Sequence, residues 1–139
     1  MGYMDATMDF GYPGDGGLGD RMLAAIAAGI KTATSSLAVG YLNGDPLPRV
    51  GQHLTLVDHE GNAHGLVETT KVRIIPLNEV GDDVAWAEGE GFADAAEWRR
   101  EHEKFWLEVQ HLLREESGDP DWTLRDAEPV VVHWFRPID

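Results

Sequence analysis

Hydrophobic spacing changes period three times along this 139-residue chain, and the order of the changes limits the folds open to it. Leu18, Met22 and Ile26 stand at i, i+4 and i+8 with alanines between them. That stripe predicts an amphipathic helix over 18–28, stopped by Gly29 in the C′ position. The spacing then becomes two. His53 to Asp58 reads as a strand, Glu60-Gly61-Asn62 as a tight turn, and Ala63 to Ile75 as a longer strand stopped by Pro76. Leu77 to Val80 is a connector, and Asp82 to Glu88 forms a helical turn or two before Gly89 and Gly91. Ala93 to Glu116 returns to helical spacing as the longest helix, with Trp98, Phe105, Val109, Leu112 and Leu113 along its apolar stripe and His102 between the first two. Gly118-Asp119-Pro120 breaks it, and Pro129 to Phe135 is a buried closing strand. Short extended segments are expected around Met8 to Phe10 and from Leu37 to Leu42, the latter before the turn signal Asn43-Gly44-Asp45-Pro46. Helix, strands, helices and strand, in that order, fit an α+β fold with a small, mostly antiparallel sheet or barrel. The length suits one domain over 1–139, with the Gly- and Asp-rich residues 1–17 as a loose lead-in.

Charge narrows the partners. The net charge is −14, but it is unevenly spread. Residues 1–20 hold four acids and no base; residues 21–75 hold five bases against four acids; residues 76–139 hold six bases against 17 acids. A long phosphate backbone lying across such a surface is disfavoured, because phosphate contacts need Lys and Arg. A small ligand or a short single strand at the near-neutral middle is compatible; long duplex DNA is not expected. The chain has no cysteine, which removes disulfides, thiolate metal sites and Cys nucleophiles. No apolar run reaches membrane-spanning length, and the N-terminus lacks the basic start of a signal peptide, so a cytoplasmic location is expected.

The densest polar chemistry is Gly29-Ile30-Lys31-Thr32-Ala33-Thr34-Ser35-Ser36-Leu37, an amine and several hydroxyls at an element boundary. In extended backbone Lys31, Ala33 and Ser35 fall on one side and Thr32, Thr34 and Ser36 on the other. A Lys with a lowered pKa can act as a base, and a hydroxyl beside a base can become a nucleophile. The alternative is a solvated lysine in a strand whose Thr and Ser merely suit β structure. A second candidate is Ala87-Glu88-Gly89-Glu90-Gly91, two carboxylates on a Gly-flanked turn that can serve as acid, base or ligand anchor, or be a solvated helix end. His53, His59, His64, His102, His111 and His133 show no metal spacing. Glu97, Glu101 and His102 could touch a divalent ion but read better as a solvated face, and His133 reads as a core histidine. Among the tryptophans, Trp86 beside the acidic turn is the best stacking platform for a base. Walker-type and Gly-x-Ser-x-Gly loops are absent.

Taken together, these segments resemble the ASCH domains, relatives of the PUA-like RNA-binding fold. The resemblance rests on Gly29 to Leu37, Val50-Gly51, Val67-Glu68-Thr69-Thr70-Lys71-Val72, Ala85 to Gly91 and the helix Trp98-Arg99-Arg100-x-His102-x-x-Phe105-Trp106. It covers most of residues 8–136. It implies a small β-barrel flanked by helices, with a cleft beside the Lys-Thr motif. Some ASCH proteins are amidohydrolases that remove the acetyl group of N4-acetylcytidine; others look like ribonucleases or RNA-binding modules. The catalytic Lys, Thr and Glu of the amidohydrolases correspond to Lys31, Thr34 and Glu90. Thr32, Ser36, Trp86 and Arg73 are the expected substrate contacts. Ser36 stands where those members carry Arg, which leaves the substrate open. The expected activity is hydrolysis of a modified nucleoside or similar small amide, with no cofactor and no metal; an RNA-binding module or a ribonuclease on short single-stranded RNA is the alternative. Whether Lys31 or Glu90 is the base is not decided by sequence, because a nearby carboxylate opposes deprotonation of an amine.

Overall fold

A computed structural model describes residues 6–41 and 46–138 of the chain. Five strands, β1 (Ala6–Phe10), β2 (Ala33–Leu37), β3 (His53–Asp58), β4 (Ala63–Pro76) and β5 (Pro129–Ile138), form one sheet in the order β1-β3-β4-β5-β2. Every pairing is antiparallel except β1 with β3. Four helices accompany it: α1 (Leu18–Ala27), α2 (Asp82–Ala87), α3 (Ala95–Glu108) and α4 (Gln110–Ser117). The α+β class and mostly antiparallel sheet expected from the periodicity are therefore present. Among the described residues no helix is long and apolar enough to cross a membrane.

The sheet curls into a half-barrel, with β1 and β2 as its two edges. Two irregularities help it bend. The β3–β4 register shifts between Thr55 and Val57, and the β4–β5 register shifts between Thr69 and Lys71. Such bulges add local twist and re-aim side chains. The second one follows Thr69, which shares the buried side of β4 with Val67, and leaves both Thr70 and Lys71 exposed.

Strand β5 explains how one sheet supports two cores. Its Val130, Val131 and Val132 are all fully buried, since helices cover one face and the curl encloses the other. Alternate residues serve opposite sides. Val130 and Val132 join Ala33, Leu37, Ile75, Trp98 and Trp106 beneath α2, α3 and α4. Phe135 joins Phe10, Leu54, Leu56 and Val67 against Leu23 and Ile26 of α1. The Leu18–Met22–Ile26 stripe thus buries its helix on the concave side.

Three expectations change in detail. The strand expected over Leu37 to Leu42 ends at Leu37, and Ala38–Tyr41 is a 3-10 turn that tucks Val39 into the helix-side core. The rest of that segment's turn signal, Asn43 to Asp45, lies outside the described residues. The long helix starts at Ala95, because Asp94 caps it: its carboxylate accepts from Glu97 N at 2.9 Å while Glu97 accepts from Ala93 N at 3.2 Å, close to a capping box. It also breaks at Val109, which has left helical geometry (φ −102°, ψ 15°), so Leu113 on α4 reaches the core from a redirected axis.

One glycine is set by a close approach. Gly89, just after α2, has φ +63°, and a Cβ there would stand 2.4 Å from the Ile30 carbonyl oxygen. The loop after α2 is thereby pressed onto the segment that leads into β2. Gly89→Ala combines left-handed strain with a backbone clash and should cost about 1–3 kcal/mol or more. Thermal unfolding of this variant checks it against Gly91→Ala, which has a positive φ but meets nothing within 4 Å and should cost less.

Candidate functional site

The gap between the two sheet edges is a cavity of about 950 Å³. Met8 and Phe10 of β1 and Tyr12 after it form one wall; Thr34, Ser35 and Ser36 of β2 form the opposite one. Glu88, Glu90 and Phe92 from the loop after α2, with His102, Phe105 and Trp106 of α3, close the side, and His133 of β5 contributes to the floor. Because β2 is an edge strand, the cavity touches residues from both of its faces.

Lys31 does not line this space. It is a buried cation behind it, with 1% of its side chain exposed. Its Nζ lies 3.1 Å from Glu90 Oε2 and 3.2 Å from the Glu88 carbonyl oxygen, and 3.9 Å from Glu88 Oε1. Glu90 is only partly covered and its carboxylate reaches the cavity. Thr34 pairs with His133 in the β2–β5 register and shares the cavity wall, but no side-chain hydrogen bond joins it to Lys31 or Glu90. Of the expected substrate contacts, Ser36 lines the cavity, its Oγ 3.1 Å from the Tyr41 hydroxyl. The other three lie elsewhere. Thr32 is tied to Ala87, whose carbonyl oxygen accepts from its N at 2.7 Å and its Oγ1 at 3.1 Å. Trp86 is exposed and donates from Nε1 to the Ala93 carbonyl at 2.9 Å. Arg73 stands on β4 opposite Val132, outside the cavity.

The centre of the arrangement is Glu88, 1% exposed. Its Oε2 accepts from Ser35 Oγ at 2.7 Å and from the Trp98 indole N–H; its Oε1 faces His102 Nε2 at 3.2 Å and the Lys31 ammonium beyond. Burial pushes this carboxyl upward, but the His102 contact, the Lys31 charge and Ser35 outweigh it and hold it below the usual carboxylate range. His102 mirrors this. Burial favours the neutral ring, yet Glu88, the Trp98 carbonyl and the charge of Glu90 raise its pKa. Its ring stacks on Trp98 with centroids 4.3 Å apart. Glu88 stands in the Gly-flanked acidic turn and His102 on the apolar stripe of the long helix, yet neither is among the site residues expected from sequence. The available signal was the Trp98-His102-Trp106 spacing of four, which puts an imidazole inside an otherwise apolar, buried helix face. At the cavity floor His133 meets Thr69 Oγ1 at 2.7 Å, and burial lowers its pKa to about 4, so the ring is neutral at pH 7. Among the described residues no three His, Asp or Glu side chains converge as a metal site would need.

These protonation states couple to stability. His102 binds its proton more tightly when folded, so its contribution is complete below its ordinary value of 6.5 and is lost as pH rises through the raised folded value. His133 binds its proton less tightly, so its contribution is complete above 6.5 and is lost as pH falls towards about 4. Glu88 adds to the acid side: its contribution is present above 4.5 and lost as pH falls through its lowered folded value. Thermal unfolding followed across pH should therefore give a Tm maximum at about pH 6–7, with losses on both sides. Replacing His133 by Gln should flatten the acid side alone.

Residues 9–139 match the family model of the ASCH domain. No curated protein matches the sequence. Solved structures are similar, among them the following two. An ASCH domain from Lactobacillus crispatus JV V101 is 26% identical with a TM-score of 0.77, over 97% of this chain and 80% of that one. A protein from Enterococcus faecalis V583 is 25% identical with a TM-score of 0.76, over 100% of this chain and 84% of that one. The half-barrel, its edge cavity and the Lys31–Glu90 pair thus sit in a fold that is PUA-like and associated with RNA binding: the chain belongs to the ASCH domain family.

Proposed function

We propose that the edge cavity is the active site of an amidohydrolase that acts on a modified nucleoside or similar small amide such as N4-acetylcytidine, with Lys31, Thr34 and Glu90 as its working residues. The observation that carries this reading is the Glu90 carboxylate, turned to the cavity wall and held at 3.1 Å by a buried ammonium. Lys31 donates to the Glu90 carboxylate and to the Glu88 carbonyl, with the Glu88 carboxylate 3.9 Å away, and two carboxylates so close oppose loss of its proton. In this reading Glu90 is therefore the base and Lys31 the cation that orients it. Water adds to the acyl carbon and gives one proton to Glu90, with the Thr34 hydroxyl helping to position it. Collapse of the tetrahedral intermediate breaks the C–N bond, and Glu90 returns that proton to the departing amine. Acetic acid and cytidine leave.

Further features support the reading. Aromatic side chains at Tyr12, Phe92 and Phe105 suit a flat base, and the cavity volume is on the scale of small-molecule sites. The Phe135 N–H donates to the Thr32 carbonyl at 3.1 Å. By antiparallel alternation, the Thr34 and Ser36 backbones then pair with β5, and the Ser35 N–H and C=O point off the free edge. That donor and acceptor pair suits a base edge or an acyl oxygen. The acidic mouth, with Asp9, Glu101 and Glu108 against Lys104, favours an uncharged ligand over a polyanion.

Chromatography after incubation with N4-acetylcytidine should show cytidine and acetate, and no product at high enzyme concentration would remove this reading. Glu90→Gln should lower kcat by at least about 100-fold with the fold retained. Lys31→Ala should also abolish turnover, but it strips a partner from buried Glu88 and so should lower Tm as well. The family's association with RNA binding carries the second reading, a module for short single strands. RNA affinity that falls steeply with added salt, without turnover, would favour it.

A further inference from the structure

We propose that His102 is a positioning residue of the cavity: as an imidazolium it neutralises Glu88 and so leaves the Lys31 ammonium to hold Glu90 at the cavity wall. The inference rests on Glu90 being the working carboxylate, and its geometry stands apart from the identity of the substrate. Both ring nitrogens of His102 face oxygen atoms that accept. Nδ1 lies 2.8 Å from the Trp98 carbonyl and Nε2 lies 3.2 Å from Glu88 Oε1. A neutral imidazole has one N–H and would turn a lone pair on one of these oxygens. The cation gives an N–H to the Trp98 carbonyl and sets its charge against Glu88.

Charge balance says what that proton does. Four ionisable groups meet here: Glu88 and Glu90 from the segment after α2, Lys31 from the approach to β2, and His102 from α3. The remaining side chains around the His102 ring are aromatic, namely Phe92, Trp98 and Trp106, while its helix neighbours Glu101 and Lys104 stand exposed at the mouth. With His102 charged, two cations face two carboxylates. With His102 neutral, Lys31 alone serves both. The two carboxylates compete unequally, because Glu88 keeps 1% of its side-chain exposure and Glu90 keeps 21%. An unpaired buried carboxylate is the costlier of the two, so Lys31 shifts to Glu88 and Glu90 turns to water. The ammonium needs little travel, since it already lies 3.9 Å from Glu88 Oε1. His102 itself touches no reacting atom in this scheme; it sets where Glu90 points.

The test has a structural and a kinetic arm. In the folded wild-type protein, nitrogen-detected NMR of the histidine rings should show His102 with both N–H groups at pH 7. The Lys31 ammonium and Glu90 carboxyl resonances should shift in the same step as this ring loses its proton at higher pH. A His102 ring already neutral at pH 6, or one whose titration leaves Glu90 unmoved, overturns the proposal whether or not N4-acetylcytidine is a substrate. In the kinetic arm, wild-type kcat should fall as pH rises through the His102 titration. His102→Gln, which keeps a donor without a charge, should lower kcat about tenfold with KM within about twofold, and the alkaline fall should disappear. A variant with wild-type kcat and an unchanged alkaline fall overturns it. Should that variant fail to fold, the wild-type NMR titration decides alone. An inactive wild type would remove the amidohydrolase reading and leave the NMR arm standing.

Discussion

A carboxylate buried to 1% exposure has to be answered by donors from every side, and Glu88 is answered by Ser35, Trp98, His102 and Lys31. These donors come from three places in the chain: the edge strand β2, the segment before it, and helix α3. Glu88 thereby fixes α3 to the sheet by hydrogen bonds whose absence would be costly, since a lost partner leaves an uncompensated buried charge. The packing of Trp98 follows from this. Its indole is fully buried because its one polar atom has a partner, and its face then carries the His102 ring. The close approach at Gly89 belongs to the same junction. It lets the Glu88 backbone come near enough for its carbonyl to accept from Lys31 as its side chain answers β2.

The elements that local periodicity fixes were legible. The α1 stripe, the β3 and β4 alternation, and the apolar run of β5 all emerge where a period of 3.6 or two dictates them. Boundaries set by tertiary contact were less so. Nothing local announces that Val109 leaves helical geometry, although the break redirects α4 so that Leu113 joins Trp122 in the helix-side core. The site divides in the same way. The Lys31 and Glu90 contact follows a motif that the resemblance supplied, and the two side chains do meet. Thr32 shows the limit of alternation as a guide. It belongs to the Thr34 side of an ideal strand, yet it lies just before β2, where its N–H and hydroxyl both go to Ala87. Trp86 is close to Glu90 in sequence but turns its N–H to Ala93. Glu88 was hidden because its Gly-flanked acidic turn reads as solvated, whereas His102 left a trace in its spacing from Trp98 and Trp106. That the two side chains meet follows from the packing of α3 against the end of α2.

The incomplete closure of the sheet is what gives these charges something to act on. A closed barrel would satisfy the β1 and β2 edges with each other and leave no space between them. Here the gap is held open, and its two edges differ. The β1 side is apolar, with Met8 and Phe10 continuing the core beneath α1. The β2 side is polar, with three consecutive hydroxyls and the carboxylate cluster behind. A ligand entering between them meets an apolar wall on one side and backbone and side-chain donors on the other.

That asymmetry also reconciles a strongly acidic protein with a site that needs carboxylates. Most of the acid lies in the C-terminal half, where it faces water and adds to the field at the cavity mouth. With His102 protonated, as proposed, the charges within the cluster cancel: two carboxylates stand against one ammonium and one imidazolium. A site built this way has no excess positive charge with which to attract phosphate. Its selectivity has to come from shape and from short-range donors, which act only after a ligand has given up its water. The same balance makes the cluster sensitive to one proton. Removing it from His102 changes the local charge from zero to −1 in surroundings where no solvent reaches Glu88 to absorb the difference. The adjustment falls on the group with the most freedom, and within this cluster that group is Glu90.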